Sequence, residues 1–442
     1  MGEGLRSAAT SVYAARTCGV NGTALWEPPH LRSRRDGVEC ERMTPGTTFD
    51  PVRQALAREY GRARRLLALA EILFAGTYLA AWALAPWAAQ LRGRLTDVAD
   101  RWRLPSGPAE AFVLLGVALA FAAPAWFLTQ PLELYSSYHL PHRYGLSNQT
   151  RRGWLVDHVK GLLLAAALGL PLLLGLYALI RTAGKLWWLW ASAGYIGLTV
   201  IMTTLAPVLW IPIFNRLRPL GEAHRDLSDR LTRLAEAAGV RVRRVDMIDL
   251  SRRTNAANAM LLGLGRTRRI ALGDTLLESF DPDEIETVLA HELGHHAHGD
   301  IPVGILIQSA AVGAVLFLES VVLAAMVRSG HLMSAADPAG WPAFVLTWSL
   351  LTFLEAPGLN LYSRWREGRA DDFALRLSGK PAAFIRAMVR LGDQNLAEAD
   401  PPGWAVILFG THPALGERVA RARRVIGQPL TAGSNEDLPA GG

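Results

Sequence analysis

Asp281-Pro282-Asp283-Glu284-Ile285-Glu286-Thr287-Val288-Leu289-Ala290-His291-Glu292-Leu293-Gly294-His295-His296 decides how the rest of the chain is read. Its start carries three helix signals. Asp281 can cap, Pro282 suits the first helical position, and Glu284 stands three residues after the cap, as in a capping box. Ile285, Leu289 and Leu293 recur every four residues and give the predicted helix a buried stripe. On a neighbouring stripe His291 and His295 stand four apart, so both imidazoles point the same way, one turn from each other. That suits two nitrogen ligands of one tetrahedral zinc ion. Glu292 projects beside them, close enough to take a proton from a water that the metal activates. Taken alone, the pattern fits equally a surface helix that carries His-Glu-x-x-His by chance, so the reading turns on the surrounding chain.

That chain has 442 residues, 50% of them hydrophobic, and its mean hydropathy is positive. A single soluble domain of that composition is not expected; membrane spans are. The net charge of +7 is dispersed and forms no dense basic block interleaved with aromatics, which argues against a nucleic-acid partner. Lysine occurs only at Lys160, Lys185 and Lys380, so 46 − 3 = 43 of the basic residues are arginine, a bias that points to a GC-rich, bacterial genome. Cys18 and Cys40 both lie in the first 48 residues, so no disulfide framework or cysteine metal site belongs to the folded body.

Residues 1–48 read as a disordered tail, with Met43 an alternative translation start. Apolar runs then predict spans at about residues 66–87, 111–132, 162–180 and 186–211, each near the roughly 20 residues that cross a bilayer. Residues 213–300 are polar and mixed, with a predicted helix at Leu227–Ala238 and strands at Arg243–Asp249, Ala256–Leu264 and Arg269–Gly273. Two further spans, near 301–327 and 344–361, follow the histidine-bearing helix, and the chain from Tyr362 on reads as soluble and helical. Six spans return the chain to its starting side. The arginines before the first span and the loop carrying Arg143, Arg151, Arg152 and Lys160 make that side cytoplasmic, although the loop around Arg92–Arg103 runs against the rule. Glu71, Glu319 and Glu355 fall inside the spans, where carboxylates usually face a bundle interior or a water-filled cavity.

Two histidines leave zinc short of a protein ligand. After the second hairpin comes Ser363-Arg364-Trp365-Arg366-Glu367-Gly368-Arg369-Ala370-Asp371, a predicted helix with Glu367 and Asp371 on one face. Glu367 is the expected third ligand. Asp371, one turn on, is placed to accept the outer N–H of a ligating histidine. The same residues also fit a surface helix stitched by i,i+4 pairs. Topology separates the two: one helix runs into a span and the other emerges from the next, so a membrane hairpin puts both ends on one face.

Several short motifs recur in order around these residues. Tyr144-Gly145-Leu146-Ser147-Asn148-Gln149-Thr150 follows the second span, Pro212-Ile213-Phe214-Asn215-Arg216 the fourth, and then come Asn258-Ala259-Met260 and Arg269-Ile270-Ala271-Leu272-Gly273-Asp274. Thr411-His412-Pro413 with Arg418 closes the series. In this order and spacing the chain, from about residue 60 to 425, resembles the integral-membrane M48 metallopeptidases, the Ste24-type or type I CAAX prenyl protease group. The resemblance implies zinc on His291, His295 and Glu367, Glu292 as general base, and His412 stabilising the tetrahedral oxyanion. It implies that Asn258-Ala259 belongs to a strand edge that pairs with substrate, and that helices surround an intramembrane chamber. The chain departs from the eukaryotic pattern in lacking the most N-terminal span, in Gly368-Arg369, and in His296, Ala297, His298 and Asp300. His296 and His298 read as bystanders.

The sequence therefore predicts a mainly α, polytopic membrane protein with about six helices around a chamber and a zincin-type catalytic part, helices plus a small sheet, on the cytoplasmic side of a bacterial inner membrane. The expected division is a tail (1–48), a four-span membrane domain (49–212), a first catalytic half (213–300), a transmembrane hairpin (301–361), a second catalytic half (362–427) and a C-terminal tail (428–442). The expected function is a zinc-dependent metalloendopeptidase with one zinc ion per chain, acting on a peptide or a membrane protein. The rival reading is a non-catalytic zinc-containing membrane scaffold or transporter.

Overall fold

The computed structural model describes residues 46–205, 211–263 and 268–427. The readings for the two tails, including Met43, Cys18 and Cys40, lie outside the described residues, as do residues 206–210 of the fourth span and Leu264.

Long helices dominate. Helix α1 (Pro51–Leu84) starts on the Asp50 cap, whose carboxylate accepts from the Val52 and Arg53 amides. Helix α2 (Trp87–Arg101) follows, then α3 (Ser106–Leu134), which ends in a π-helical turn at Tyr135–His139. Next come α4 (Arg151–Thr182), with Thr150 capping Gly153, and α5 (Trp187–Leu205). The soluble part holds β1 (Leu217–Pro219), α6 (Arg225–Ala237), β2 (Val245–Ile248), β3 (Ala259–Leu262), β4 (Arg269–Gly273), α7 (Asp274–Ser279) and α8 (Pro282–Ala297). Then α9 (Asp300–Arg328) and α10 (Trp341–Ser378) form the second hairpin, and α11 (Pro381–Asn395), α12 (Gly403–Phe409) and α13 (Leu415–Ile426) complete the described chain.

Six of these segments, at residues 51–84, 106–143, 151–182, 184–205, 300–328 and 338–378, are long and apolar enough to cross a membrane. They match the six spans expected. Two predicted boundaries moved. The region around Arg92–Arg103, read as a loop, is the amphipathic helix α2, which buries Ala88 and Ala99 and pairs Arg92 with Asp337. The span drawn to residue 361 runs on unbroken to Ser378, and Pro357-Gly358, which lies between the apolar half of α10 and the half that carries Glu367, does not end the helix.

The sheet has the order β1-β2-β4-β3, antiparallel at both outer pairs and parallel between β2 and β4. Central β4 is covered on both faces, with Ile270, Ala271 and Leu272 all fully buried. β3 is an edge strand, with Ala259 opposite Leu272 and Met260 opposite Ala271. One core joins this sheet to α6, α8, α11, α13 and the last turns of α10, where Ala374 and Leu375 are buried. A second core, with Trp187, Leu316 and Phe344, joins α4, α5, α9 and α10 within the hairpins.

Of the span carboxylates, Glu319 is fully buried and accepts from the Thr347 hydroxyl at 2.7 Å, whereas Glu71 lines a cavity of about 620 Å³ between α1, α3 and α4.

Candidate metal centre

Helix α8 forms as its sequence dictates. Asp281 accepts from the Glu284 amide at 2.9 Å and Glu284 accepts from the Asp281 amide at 3.1 Å, the reciprocal pair of a capping box. Glu284 is itself fully buried, with Arg386 at 3.3 Å and Arg390 at 3.4 Å from its oxygens. Ile285, Leu289 and Leu293 are at most 2% exposed, and burying each side chain contributes about 1.5–3 kcal/mol. The helix is thereby locked at a fixed rotation, with His291 and His295 turned towards α10.

The two helices meet at a glycine. A Cβ on Gly294 would stand 3.1 Å from Ala370 Cα and 3.2 Å from Phe373 Cδ1. This close approach brings Glu367 to both rings: its Oε2 lies 3.2 Å from His291 Nε2 and its Oε1 lies 3.3 Å from His295 Nε2. These three residues form a group whose ligand atoms all lie within 4.8 Å of one another.

Each ring is held from behind. His291 Nδ1 donates to Asp371 Oδ1 at 2.9 Å, and His295 Nδ1 donates to Asp300 Oδ2 at 2.8 Å. With the hydrogen at Nδ1, the Nε2 lone pair of each ring faces the Glu367 carboxylate, whose Oε2 is buried without a hydrogen-bond partner. With both rings neutral, two lone pairs and a carboxylate converge with no donor among them. A cation resolves that arrangement, and imidazole–imidazole–carboxylate is a donor set suited to zinc. Burial and the Arg418 cation push the His291 imidazolium down, yet Asp371 and Glu367 outweigh them and hold it up, at about 9. A bound metal must displace that proton.

Behind Asp371, Arg418 closes the arrangement with a two-pronged contact at 2.9 and 2.5 Å. Its Nη2 also lies 3.2 Å from His291 Nδ1. Both are donors once Nδ1 carries its hydrogen, and Asp371 Oδ1 accepts from each. On the open side, His412 Nε2 lies 3.5 Å from Glu367 Oε1, with a 60% exposed side chain. Burial pushes the Glu292 carboxyl up, and the neighbouring His291 and His295 rings draw it back. A carboxylate shifted upward towards neutrality serves proton transfer better than an ordinary one.

The expected residues His291, His295, Glu367 and Asp371 thus come together, with Glu292 and His412 beside them. His296 and His298 stay outside the three-residue group. At the sheet edge the expected pair divides: the Asn258 carbonyl is spent on the Gly273 amide at 2.9 Å, so strand alternation turns the main-chain groups of Ala259 outward. Two contributors were missed. Asp300 stands five residues after His295, and the rule that a ligand histidine needs an outer acceptor would have found it. Arg418 belongs to the closing motif, and nothing local in the sequence ties it to Asp371.

Comparison with known proteins agrees with this geometry. The family model for peptidase family M48 matches residues 222–426, and that for the CAAX prenyl protease N-terminal region, described as five membrane helices, matches residues 47–216. An uncharacterized metalloprotease of Bacillus subtilis, YhfN, is 26% identical over 88% of this chain and 90% of its own length. A CAAX prenyl protease 1 homolog of Arabidopsis thaliana is 31% identical over 65% of this chain and 68% of its own. The crystal structure of S. mikatae Ste24p superposes with a TM-score of 0.72 at 24% identity, covering 84% of this chain and 89% of that one.

Proposed function

We infer, because this chain belongs to peptidase family M48 and is an integral-membrane metalloendopeptidase, that it cleaves peptide bonds at one zinc ion held by His291, His295 and Glu367. The observation that carries this reading is the convergence of His291, His295 and Glu367, which each offer one ligand atom within 4.8 Å of the others. When bound, zinc supplies Lewis acidity that polarises a carbonyl and makes a water more acidic.

The remaining work falls to this chain's own residues. Glu292 accepts the water's proton and passes it to the departing amine. His412, exposed on the open side, donates a hydrogen bond to the carbonyl oxygen as negative charge develops there. Asp371 and Asp300 keep both histidines in the Nδ1–H tautomer, and Arg418 balances the charge of Asp371. The outward groups of Ala259, beside Asn258, offer the edge of β3 to an extended peptide, which gains affinity from main-chain hydrogen bonds whatever its sequence.

This division of labour goes with the expected parts: four spans in residues 49–212, then two soluble halves, 213–300 and 362–427, joined through the hairpin 301–361. The family match supports residence in a membrane. Basic residues near Arg151 and Arg152, and before the first span, favour a cytoplasmic centre in a bacterial inner membrane. The substrate is then a peptide or a membrane protein, and a protein of the kind cleaved by CAAX prenyl proteases, the activity for which several relatives are named, is one candidate.

The test is metal removal. Detergent-solubilised protein should lose cleavage of a model peptide on chelation and regain it with zinc. A protein that cleaves nothing with zinc bound would instead be the scaffold or transporter.

A further inference from the structure

A cleft adjoins the centre and shares His412 and Arg418 with it. It encloses about 720 Å³ and is bounded by His412, by Asn258 beside the sheet edge, and by one stripe of α1. On that stripe Tyr60, Arg64 and Ala68 recur every four residues, with Gly61 and Arg65 alongside. A membrane helix remote in sequence from the ligands therefore forms a wall of the cleft.

Three arginines line the cleft, and two are already engaged. Arg418 is bound to Asp371. Arg65 meets Glu398 at 2.6 Å in a largely buried pair. Gly61 permits that pair, since a Cβ there would fall 1.8 Å from Glu398 Oε1. Arg64 differs from both: among the described residues it has no carboxylate partner, and its guanidinium lies over the Tyr60 ring one turn back, 5.8 Å from the ring centre. Glu398 is the one carboxylate lining the cleft among the described residues, and Arg65 holds it. The cleft thus carries a cation without a counter-charge in the space next to the centre. Among the described residues Arg62, two residues earlier, also has no carboxylate partner, but it does not line the cleft. An ordinary cation at a membrane boundary would have no need to share the cavity of His412.

We propose that Arg64 is a specificity-determining residue that binds a carboxylate of the peptide substrate. The proposal rests on the peptidase reading above. A guanidinium is always charged and presents a planar fork of donors that matches a carboxylate through two parallel hydrogen bonds. The Tyr60 ring supports the cation from one side and leaves its donors free to turn into the cleft. The carboxylate can be the free C-terminus of the substrate or an Asp or Glu side chain near the scissile bond. Both present the same group to Arg64. Because the contact exists before the bond breaks, its effect falls on KM more than on kcat.

The experiment uses the zinc-loaded, detergent-solubilised full chain and four peptides of one parent sequence: C-terminal acid or amide, each with an internal Glu or Gln. Wild type should favour the recognised carboxylate by roughly 10- to 100-fold in kcat/KM, as a charge-assisted pair allows. The pair of peptides that shows the preference identifies which carboxylate is read. Arg64→Gln should level the preference by lowering kcat/KM on the peptides that carry the recognised carboxylate. Arg64→Lys should retain part of it, and Arg64→Glu should reverse it. Variants are matched for zinc content and melting temperature. Equal cleavage of all four peptides by wild type, or an undiminished preference in Arg64→Gln, overturns this proposal alone. Cleavage of none of the four overturns the peptidase reading and this proposal with it.

Discussion

His295 Nδ1 lies 2.8 Å from Asp300 Oδ2, a contact made over the end of one helix by the first residue of the next. Gly299 makes it possible, with φ of 65°, a left-handed conformation that turns the chain back on itself at little cost for glycine. Asp300 does for His295 what Asp371 does for His291. Asp300→Asn and Asp371→Asn should each weaken zinc binding by about 10- to 100-fold. Titration against a competing chelator checks this, and wild-type affinity in Asp300→Asn would make that contact incidental.

Glu292 is assigned proton transfer and not metal binding, since the three-residue ligand group is complete without it. Glu292→Gln keeps the shape of the side chain and removes the base. The variant should hold zinc normally and lose about 10²- to 10⁴-fold in turnover at saturating peptide. Near-normal turnover by the zinc-loaded variant would refute the water-activation step.

His412 sits on the open side of the centre, 3.5 Å from Glu367 Oε1, and Thr411 Oγ1 lies 2.9 Å from its Nδ1. His412→Ala should retain zinc and lose roughly 10²- to 10³-fold in kcat if the ring stabilises an oxyanion. A loss confined to KM would instead make it a binding residue.

The centre was legible because its chemistry is local. A capping box, a four-residue stripe and two histidines one turn apart fix α8 from sequence alone, and apolar length fixes the spans. What escaped was short or set by tertiary contact. β1, Leu217–Pro219, is three residues ending in proline and carries no period to detect. α2 has an apolar stripe too sparse to distinguish it from a polar loop, and it becomes evident through packing on α3 and the Arg92–Asp337 pair. Arg418 reaches Asp371 across 47 residues, a distance that no local pattern encodes.

Topology follows from the shared site. His291 and Glu367 meet although the hairpin of α9 and α10 lies between them, so both soluble parts must lie on one side of the membrane. In a background lacking Cys18 and Cys40, single cysteines at 230 and 424 should be protected from an impermeant external reagent, and one at 334 should label. Labelling at 230 and 424 with protection at 334 would invert the orientation. Opposite results at 230 and 424 would contradict the fold.

Gly294 links the fold to the chemistry most directly. It is placed between the two histidines, where α8 crosses α10, and the atoms a Cβ would meet include the Ala370 Cα and, at 3.3 Å, the Ala370 carbonyl oxygen. Backbone atoms of a packed helix cannot swing aside as a side-chain end can, so the helices must separate by a few tenths of an ångström. Alanine gains about 1 kcal/mol over glycine in helix propensity, while overpacking a close-packed crossing costs about 1–3 kcal/mol. The two nearly offset each other, and Gly294→Ala should change stability by no more than about 2 kcal/mol. The larger effect falls on the site. Separating α8 from α10 draws Glu367 away from His291 and His295, which it now meets at 3.2 and 3.3 Å. Zinc affinity should therefore fall by about tenfold or more, an effect comparable to losing an outer hydrogen bond. Melting temperature and chelator competition on the same preparation separate the two effects: full zinc affinity in a folded Gly294→Ala protein would show that the close crossing does not position the third ligand.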